Sequence, residues 1–375
     1  MKREIRASFM RGGTSKGLFF DPADLPADPD LRDAILLRAI GSPDPYGLQM
    51  DGMGGGSSST SKASLVCRSE HADHDLDYFS AALPINGSFV DWSGNCGNLA
   101  SAVVPFALRR GMLDVPEDGV VAIRIWQVNT RRTIVAHVPV ANGLAVDEGD
   151  FFLDGIVFPS AEIRLDFEAG PGAADLFPAG ASITTVEMPG GGQFEATLID
   201  AGSPTIIVHA AALGLTGAES PAQVNADNDL LSKAEAMRCR AAVKLGMAAT
   251  VEEVSARLQQ SPKIAFVNAP QDYQATSGRH IAAGDIDLVA RTFSMGKLHH
   301  AMTGTGTVAL AAAAAVPGTI VSGITGSRDM IRIGHASGIV SVGSMAENHG
   351  GWRIARTSFS RSARLLMDGV IFVDV

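Results

Sequence analysis

The sequence has no long hydrophobic run, few cysteines and no excess of positive charge, and each absence excludes a class of protein. Its most apolar stretch, residues 308–316, is about half the length needed to cross a bilayer. The first residues are charged and lack the apolar run of a secretory signal. Three cysteines cannot all pair within one chain, and no Cys/His spacing is typical of zinc. We therefore expect a cytoplasmic protein without a membrane span or a metal site.

The charge balance argues against nucleic acid as a partner. The net charge is −10, with 40 acidic and 30 basic residues, whereas phosphate binding requires a basic surface. A small anion is not excluded, because backbone N–H groups and a few cations can bind carboxylates in an acidic protein. The 41 glycines cluster in short polar runs, which favours such backbone binding.

Length and patterning predict two domains of the α+β class. At 375 residues the chain exceeds the usual size of one core, and residues 190–192 mark the boundary between domains 1–192 and 193–364. Each half contains a small-residue turn that leads into an apolar helix, while most remaining segments are typical of strands. The predicted helices cover residues 30–40, 99–110, 230–245, a segment starting at 250, and 307–316.

Cys96 lies at the start of the predicted helix 99–110, between Gly94 and Gly97. A helix N-terminus favours a thiolate, and the flanking glycines leave the backbone open to a ligand. Asn95 and Asn98 add polar groups beside it. A small buried residue is the structural alternative. We interpret Cys96 as a functional thiol.

Lys62 follows the hydroxyl run 57–61 and precedes a predicted strand. It is either a solvated surface lysine or a base in a cleft, and the residues alone leave both open. The spacing from Ser59 matches the SxxK motif of serine acyl-enzymes, but the companion motifs are absent. The glycine-rich loops 12–17 and 52–56 match no nucleotide motif, and we expect their N–H groups to suit carboxylates.

The remaining cysteines and the histidine pair are of less interest. Cys67, inside a predicted strand, and Cys239, inside a predicted helix, are interpreted as structural residues. His299 and His300 would point apart on a strand, and no third ligand accompanies them, so a metal is not expected. One of this pair, close to Thr303, is expected to contact a substrate.

Eight motifs in order along the chain resemble those of one family. They are RGGTSKG (11–17), GSPDPYG (41–47), DGMGG (51–55), SSTSK (58–62), DWSGNCGN (91–98), IDAGSPT (199–205), SPKI (261–264) and MGKLHHAMTGT (295–305). The chain thereby resembles the 2-methylaconitate cis-trans isomerase (PrpF) family. Its relatives include 4-oxalomesaconate tautomerases and methylitaconate isomerases.

The resemblance implies the fold of diaminopimelate epimerase. That fold has two pseudo-symmetric domains, each a mostly antiparallel β-barrel wrapped around a central helix, and residues 365–375 would return to the first domain. Racemases of this fold use two cysteines, one at the start of each central helix. Cys96 matches one, but Thr303 stands at the other position and cannot transfer a proton as a thiol. In the isomerase branch the second group is the lysine of the hydroxyl-rich motif, here Lys62.

The resemblance further implies a cofactor-independent isomerase that shifts an allylic proton on a small unsaturated di- or tricarboxylate. Lys62 and Cys96 would be the acid/base pair, and methylaconitate, oxalomesaconate and methylitaconate all stay open as substrates. A homodimer is compatible with it. The predicted substrate-binding residues are Thr14, Ser15, Asn95, Gly97, Asn98, Ser203, Lys263, Arg279, His300, Thr303, Gly304, Thr305 and Gly306.

Two interpretations of another class are also open. A cysteine hydrolase or amidase would use Cys96 as nucleophile, with His299 or His300 as base. A non-catalytic protein would bind the carboxylates without exchanging a proton.

Overall fold

The computed structural model describes residues 2–169, 175–188 and 190–375. The chain divides into unit 1, Met1–Asp166 with Ser360–Val375, and unit 2, Phe167–Phe359. The boundary predicted at residue 192 lies within unit 2. There the glycines form the turn of a strand hairpin, and Gly190 and Gly191 have positive φ, a conformation that favours glycine.

The strands of unit 1 form one mixed, mostly antiparallel series. They are β1 (Lys2–Gly12), β2 (Ser15–Phe20), β3 (Lys62–Arg68), β4 (Leu76–Ala82), β5 (Gly119–Gln127), β6 (Arg132–Ala141), β7 (Leu144–Ala145), β8 (Ile163–Glu168, which reaches two residues into unit 2) and, from the chain's end, β20 (Ala363–Asp374). Hydrogen bonds join them in the order β20–β1–β2–β3–β4–β5–β6. Only the β2–β3 and β4–β5 pairs of this series are parallel.

Two α-helices accompany these strands. Helix α1 (Pro29–Ile40) begins at Asp28, whose side chain accepts a hydrogen bond from the Asp30 amide, and ends at Gly41, which has a φ of 86°. Helix α2 (Ala100–Arg109) is buried along its length up to Leu108 and contacts β1, β3, β6, β7 and β20. The apolar sequence of α2 predicted a buried helix, and this is confirmed.

Unit 2 has its own strands and helices. They are β9 (Thr184–Glu187), β10 (Gln193–Asp200), β11 (Pro204–His209), α3 (Pro221–Ala226), α4 (Asn228–Lys244), α5 (Val251–Arg257), β12 (Lys263–Asn268), β13 (Tyr273–Gln274), β14 (His280–Ile281), β15 (Leu288–Ser294), β16 (Lys297–Leu298), α6 (Gly304–Ala315), α7 (Ile320–Thr325), β17 (Met330–His335), β18 (Gly338–Asn348) and β19 (Trp352–Arg361, whose last two residues belong to unit 1). All twelve residues of α6 are buried.

The two units repeat one pattern of strand pairing. In unit 2 the order β9–β10–β11–β12–β15–β17–β18 has parallel pairs only at β11–β12 and β15–β17. These stand where β2–β3 and β4–β5 stand in unit 1. The buried helices α2 and α6 occupy matching places, each preceding the strand that completes the second parallel pair. The weak repeat in the sequence is therefore present in the topology.

Strands and helices segregate rather than alternate, so the fold is of the α+β class, as predicted. No helix in the described part of the chain is both long and apolar enough to cross a membrane.

Candidate active site

Lys62 is buried in unit 1, with 6% of its surface exposed. It is the first residue of β3, which pairs with β2 on one side and β4 on the other. A Cβ on Gly17 of β2 would lie 2.5 Å from the Lys62 carbonyl oxygen, so only glycine allows this approach. The sequence left open whether Lys62 is a solvated surface lysine or a base in a cleft, and its burial disagrees with a solvated surface lysine.

One face of the β3–β4 ladder connects Lys62 with the neighbourhood of Cys96. Residues directly opposite each other share a face, and so do alternate residues along a strand. Lys62 pairs with Ala82 and Val66 pairs with Tyr78, which puts Lys62 and Tyr78 on one face. The Tyr78 hydroxyl donates to the Cys96 carbonyl oxygen at 3.2 Å. Burial, and then the nearby Cys96, raise the pKa of Tyr78 above its ordinary value.

Cys96 is also buried, with 6% of its surface exposed. Its carbonyl oxygen accepts a hydrogen bond from the Ala100 amide at 3.1 Å, so the helical turn that leads into α2 begins at this cysteine. Backbone N–H groups in the first turn of a helix have no partner within the helix and attract anions. The thiol therefore lies at the start of a buried helix, beside the N–H groups of its first turn.

The surroundings of the other two cysteines, Cys67 and Cys239, raise the pKa of their thiols. Burial, and then Asp77, raise the pKa of Cys67 to about 11. Burial, and then Glu235, raise the pKa of Cys239 to about 12. Because the thiolate is the reactive form, both environments suit a structural cysteine.

Asn98 links the start of α2 to two other segments of unit 1. Its amide nitrogen donates to the Thr14 hydroxyl at 3.0 Å, and its amide oxygen accepts from Arg361 Nε at 2.9 Å. Burial lowers the pKa of Arg361 to about 9. The structure thus brings together two predicted residues and one that sequence reasoning missed. Arg361 gives no local signal, since its neighbours are ordinary strand residues.

Asn95 is the clearest sign of a ligand site in unit 1. The side chain is 1% exposed, yet neither amide atom has a hydrogen-bond partner within the described ranges. Such a group costs about 1–3 kcal/mol when left unpaired, and it is rare in native proteins. Gly97 and Ser15 are buried as well, Ser15 as the first residue of β2.

The glycine-rich loop 52–56 does not offer its N–H groups to a ligand as expected. The amides of Gly52 and Gly54 donate to the carbonyl oxygens of Gln49 and Ile40, and the amide of Gly56 donates to the Gln49 side chain. A Cβ on Gly52 would lie 2.3 Å from the Ile40 carbonyl carbon. These glycines are needed because the loop folds back on the end of α1, and that part of the prediction was wrong.

In unit 2, the start of α6 carries a cluster of predicted residues. The Thr303 hydroxyl caps the helix by accepting from the Gly306 amide at 3.2 Å, and a Cβ on Gly306 would lie 2.5 Å from that hydroxyl. Gly304 is the first helical residue. The Thr305 hydroxyl is buried and has no hydrogen-bond partner among the residues that the structure describes. This is a second unsatisfied polar group at the start of a buried helix.

Lys263 occupies in unit 2 the place that Lys62 occupies in unit 1, since each is the first residue of the second strand in a parallel pair. Its amine donates to the Gln260 carbonyl oxygen at 3.2 Å. Ser203, which precedes the partner strand β11, is fully buried, and its hydroxyl lies 3.5 Å from that of Ser261.

Two further predictions meet a different structure. His299 and His300 follow β16, and their rings stack with centroids 4.7 Å apart, so the expectation that they point apart on a strand was wrong. The chain has already left the strand at this point. Burial lowers the pKa of His300. Arg279 is exposed in the turn between β13 and β14, so it is not among the buried residues described above. No three His, Cys, Asp or Glu side chains in the described residues are grouped as a metal site.

Comparisons with known proteins cover the whole chain. The model of the PrpF protein family matches residues 1–374. The chain is 47% identical to a 2-methyl-aconitate isomerase of Shewanella oneidensis, over 99% of this chain and 97% of the relative. It is 35% identical to a 4-oxalomesaconate tautomerase of Pseudomonas putida, over 98% and 96%.

A solved structure agrees with these matches. The crystal structure of a methylitaconate-delta-isomerase superimposes with a TM-score of 0.76 at 38% identity, over 99% of this chain and 96% of that one. The match to the family model, the identity to relatives and the shared fold all extend over nearly the full length. This chain belongs to the PrpF protein family.

Proposed function

We propose that this protein is an isomerase that moves a proton on a small unsaturated di- or tricarboxylate, with 2-methylaconitate as the first candidate. The observation that carries this proposal is the burial of Lys62 on the strand face from which Tyr78 reaches Cys96. Most lysines are exposed at the surface, so a lysine with only 6% of its surface exposed favours a functional role. The 47% identity to a 2-methyl-aconitate isomerase favours that substrate over oxalomesaconate and methylitaconate.

The mechanism follows from an amine and a thiol acting on one anion. One of the two groups removes an allylic proton beside a carboxylate, which leaves a dienolate. The other group returns a proton at another carbon, so that the double bond migrates or the geometry at the double bond is exchanged. The reaction balances without electron transfer, and we propose that no cofactor takes part.

We propose that the substrate's carboxylates bind at a helix N-terminus and at the unsatisfied polar groups beside it. In unit 1 these are the N–H groups after Cys96 and the amide of Asn95. Taken by itself, unit 2 carries groups of the same kind at the start of α6, where the buried Thr305 hydroxyl has no hydrogen-bond partner in the described part of the chain. Fixed donors of this kind stabilise a developing oxyanion, and each is typically worth about 2.7–4 kcal/mol.

We also propose that each unit's strands curl into a barrel around its buried helix. Two observations support it. Helix α2 contacts strands from both ends of the unit 1 series, and α6 contacts β10, β11, β17 and β18. Both helices are buried on all sides, as the centre of a barrel requires.

Deuterium exchange tests the function. The protein is incubated without added cofactor in D₂O with 2-methylaconitate, methylitaconate or oxalomesaconate, and incorporation is followed by NMR. We expect exchange with wild-type protein, and a fall of about 10²–10⁴-fold in Lys62→Met and in Cys96→Ser, the usual contribution of a positioned proton donor or acceptor. Lys233→Met, at an exposed lysine, and Cys67→Ser are the matched controls and should retain full activity.

Two results would contradict the proposal. If wild-type protein exchanges no proton of any of the three acids, the function is wrong. If Lys62→Met and Cys96→Ser both exchange at the wild-type rate, the activity depends on other residues and the acid/base assignment is wrong.

A further inference from the structure

The loop between α1 and β3, residues 41–61, is built around one buried glutamine. Gln49 is 1% exposed and has a φ of +52°. This left-handed backbone conformation is uncommon in residues other than glycine, and it persists only where the surroundings hold it. Its own amide donates to the Asp44 carboxylate at 2.5 Å, which fixes the backbone at this point.

The side-chain amide of Gln49 makes three hydrogen bonds inside the loop. Its nitrogen donates to the Ser42 hydroxyl at 2.9 Å, and its oxygen accepts from the Gly56 amide at 3.0 Å and from the Ser61 hydroxyl at 2.7 Å. A Cβ on Gly54 would lie 2.3 Å from that oxygen, so the glycine leaves room for it. A buried network whose members are bonded in this way is rigid.

The third of these bonds reaches the residue before Lys62. Ser61 is fully buried, its carbonyl oxygen accepts from the Leu83 amide at 3.0 Å, and its hydroxyl donates to Gln49. The backbone that enters β3 is therefore held on one side by the strand ladder and on the other by Gln49. Lys62 begins at that fixed point.

We propose that Gln49 is a positioning residue for Lys62, and that its amide sets the direction in which the lysine amine leaves β3. The inference rests on the proposed function, because it gives Lys62 a proton to transfer. Proton transfer depends steeply on placement, and a shift of about 1 Å can cost ~10²-fold in rate. Binding of the substrate's carboxylates by other groups is unaffected.

The test compares three variants in the full-length protein. Gln49→Met keeps the length of the side chain and removes its hydrogen bonds. Gln49→Glu keeps two acceptor oxygens, to which the hydroxyls of Ser42 and Ser61 can both donate. The control is Thr319→Val in unit 2, since Thr319 is also buried and its side chain also makes several hydrogen bonds within a turn, to Ala313 and Ser322.

For deuterium exchange into 2-methylaconitate, we expect kcat of Gln49→Met to fall about 10–100-fold with KM nearly unchanged. Gln49→Glu should recover most of that loss. Thr319→Val should lose similar stability, because it too leaves buried polar groups without partners, and should keep its kcat. An equal fall of kcat in Thr319→Val would show that lost stability, and not placement of Lys62, is the cause, and would overturn the proposal.

Amide hydrogen exchange of the peptide 57–66 gives a reading that does not depend on activity. It should be faster in Gln49→Met than in wild-type protein and unchanged in Thr319→Val. Unchanged exchange in Gln49→Met overturns the proposal whatever the activity. If wild-type protein moves no proton on any acid tested, the proposed function fails, and this measurement alone decides whether Gln49 holds the lysine segment.

Discussion

Because Gly17 contacts the backbone of Lys62, a substitution at Gly17 can displace the lysine while leaving its side chain unchanged. In Gly17→Ala the new Cβ would lie 2.5 Å from the Lys62 carbonyl oxygen and 3.1 Å from its carbonyl carbon, whereas real contacts of this kind lie above 3.0 Å and mostly above 3.4 Å. Both contacts are with backbone, which cannot rotate away as a side chain can. Strands β2 and β3 must therefore separate by about 0.5–0.9 Å at the lysine, the difference between these distances.

Two consequences of that displacement can be measured. Overpacking of this kind typically costs about 1–3 kcal/mol, which urea unfolding followed by tryptophan fluorescence will detect. A displacement approaching 1 Å should lower kcat about 10–100-fold in deuterium exchange, measured at a temperature where the variant is fully folded. The control is Gly369→Ala in β20, where a Cβ meets nothing within 4 Å and both quantities should stay at wild-type values. Wild-type kcat in a folded Gly17→Ala protein would refute the link between this backbone contact and catalysis.

The remaining predictions concern three other residues. Tyr78→Phe removes the hydroxyl that bonds the Cys96 carbonyl, so urea unfolding should show a loss of about 0.5–1.5 kcal/mol, and kcat should fall severalfold. The Asp44 carboxylate accepts backbone hydrogen bonds, that of Tyr46 first, which lower its pKa; its stabilising effect is therefore present above the unfolded-state pKa and lost as the pH falls. The urea midpoint of Asp44→Asn should thus lie below wild type at pH 7 and approach it near pH 3. Thr303→Val removes the cap of α6 and should cost about 1 kcal/mol in the same assay, while Thr303→Ser should retain wild-type stability.

Local sequence chemistry predicted the longer elements well. The helix predicted over residues 30–40 is α1, which lies between the Asp28 cap and Gly41, and the helix predicted to start at 250 is α5, where Thr250 accepts the hydrogen bond from the Glu253 amide. The helices α2 and α6 were recognised because long apolar stretches following small-residue turns are typical of buried helices. Helix α7 was missed, since six residues are too few to show a period.

The site was predictable only where the residue type itself carries the chemistry. A cysteine between glycines and a lysine after a hydroxyl run are visible in sequence, and family resemblance then gives them roles. Gln49, Tyr78 and Arg361 contact residues that lie 12 to 263 positions away in the chain. The sequence around each of the three does not indicate those contacts. The prediction that the glycine-rich loop 52–56 binds carboxylates failed for a similar reason. A glycine needed for folding and a glycine needed for a ligand cannot be distinguished in the sequence.

The pairing of β20 with β1 has a consequence for how the protein is made. These strands run antiparallel from Lys2 opposite Asp374 to Gly12 opposite Ala363, so β1 is synthesised long before the strand that pairs with it. Translation proceeds at about 5–20 residues per second, and the roughly 350 residues between Gly12 and Ala363 therefore separate the synthesis of the two partners by roughly 18–70 s. During that time β1 exposes an unpaired edge, which other chains can join. Unit 2 is consequently synthesised in full before β1 gains its partner β20, and it is the first unit able to reach its final structure.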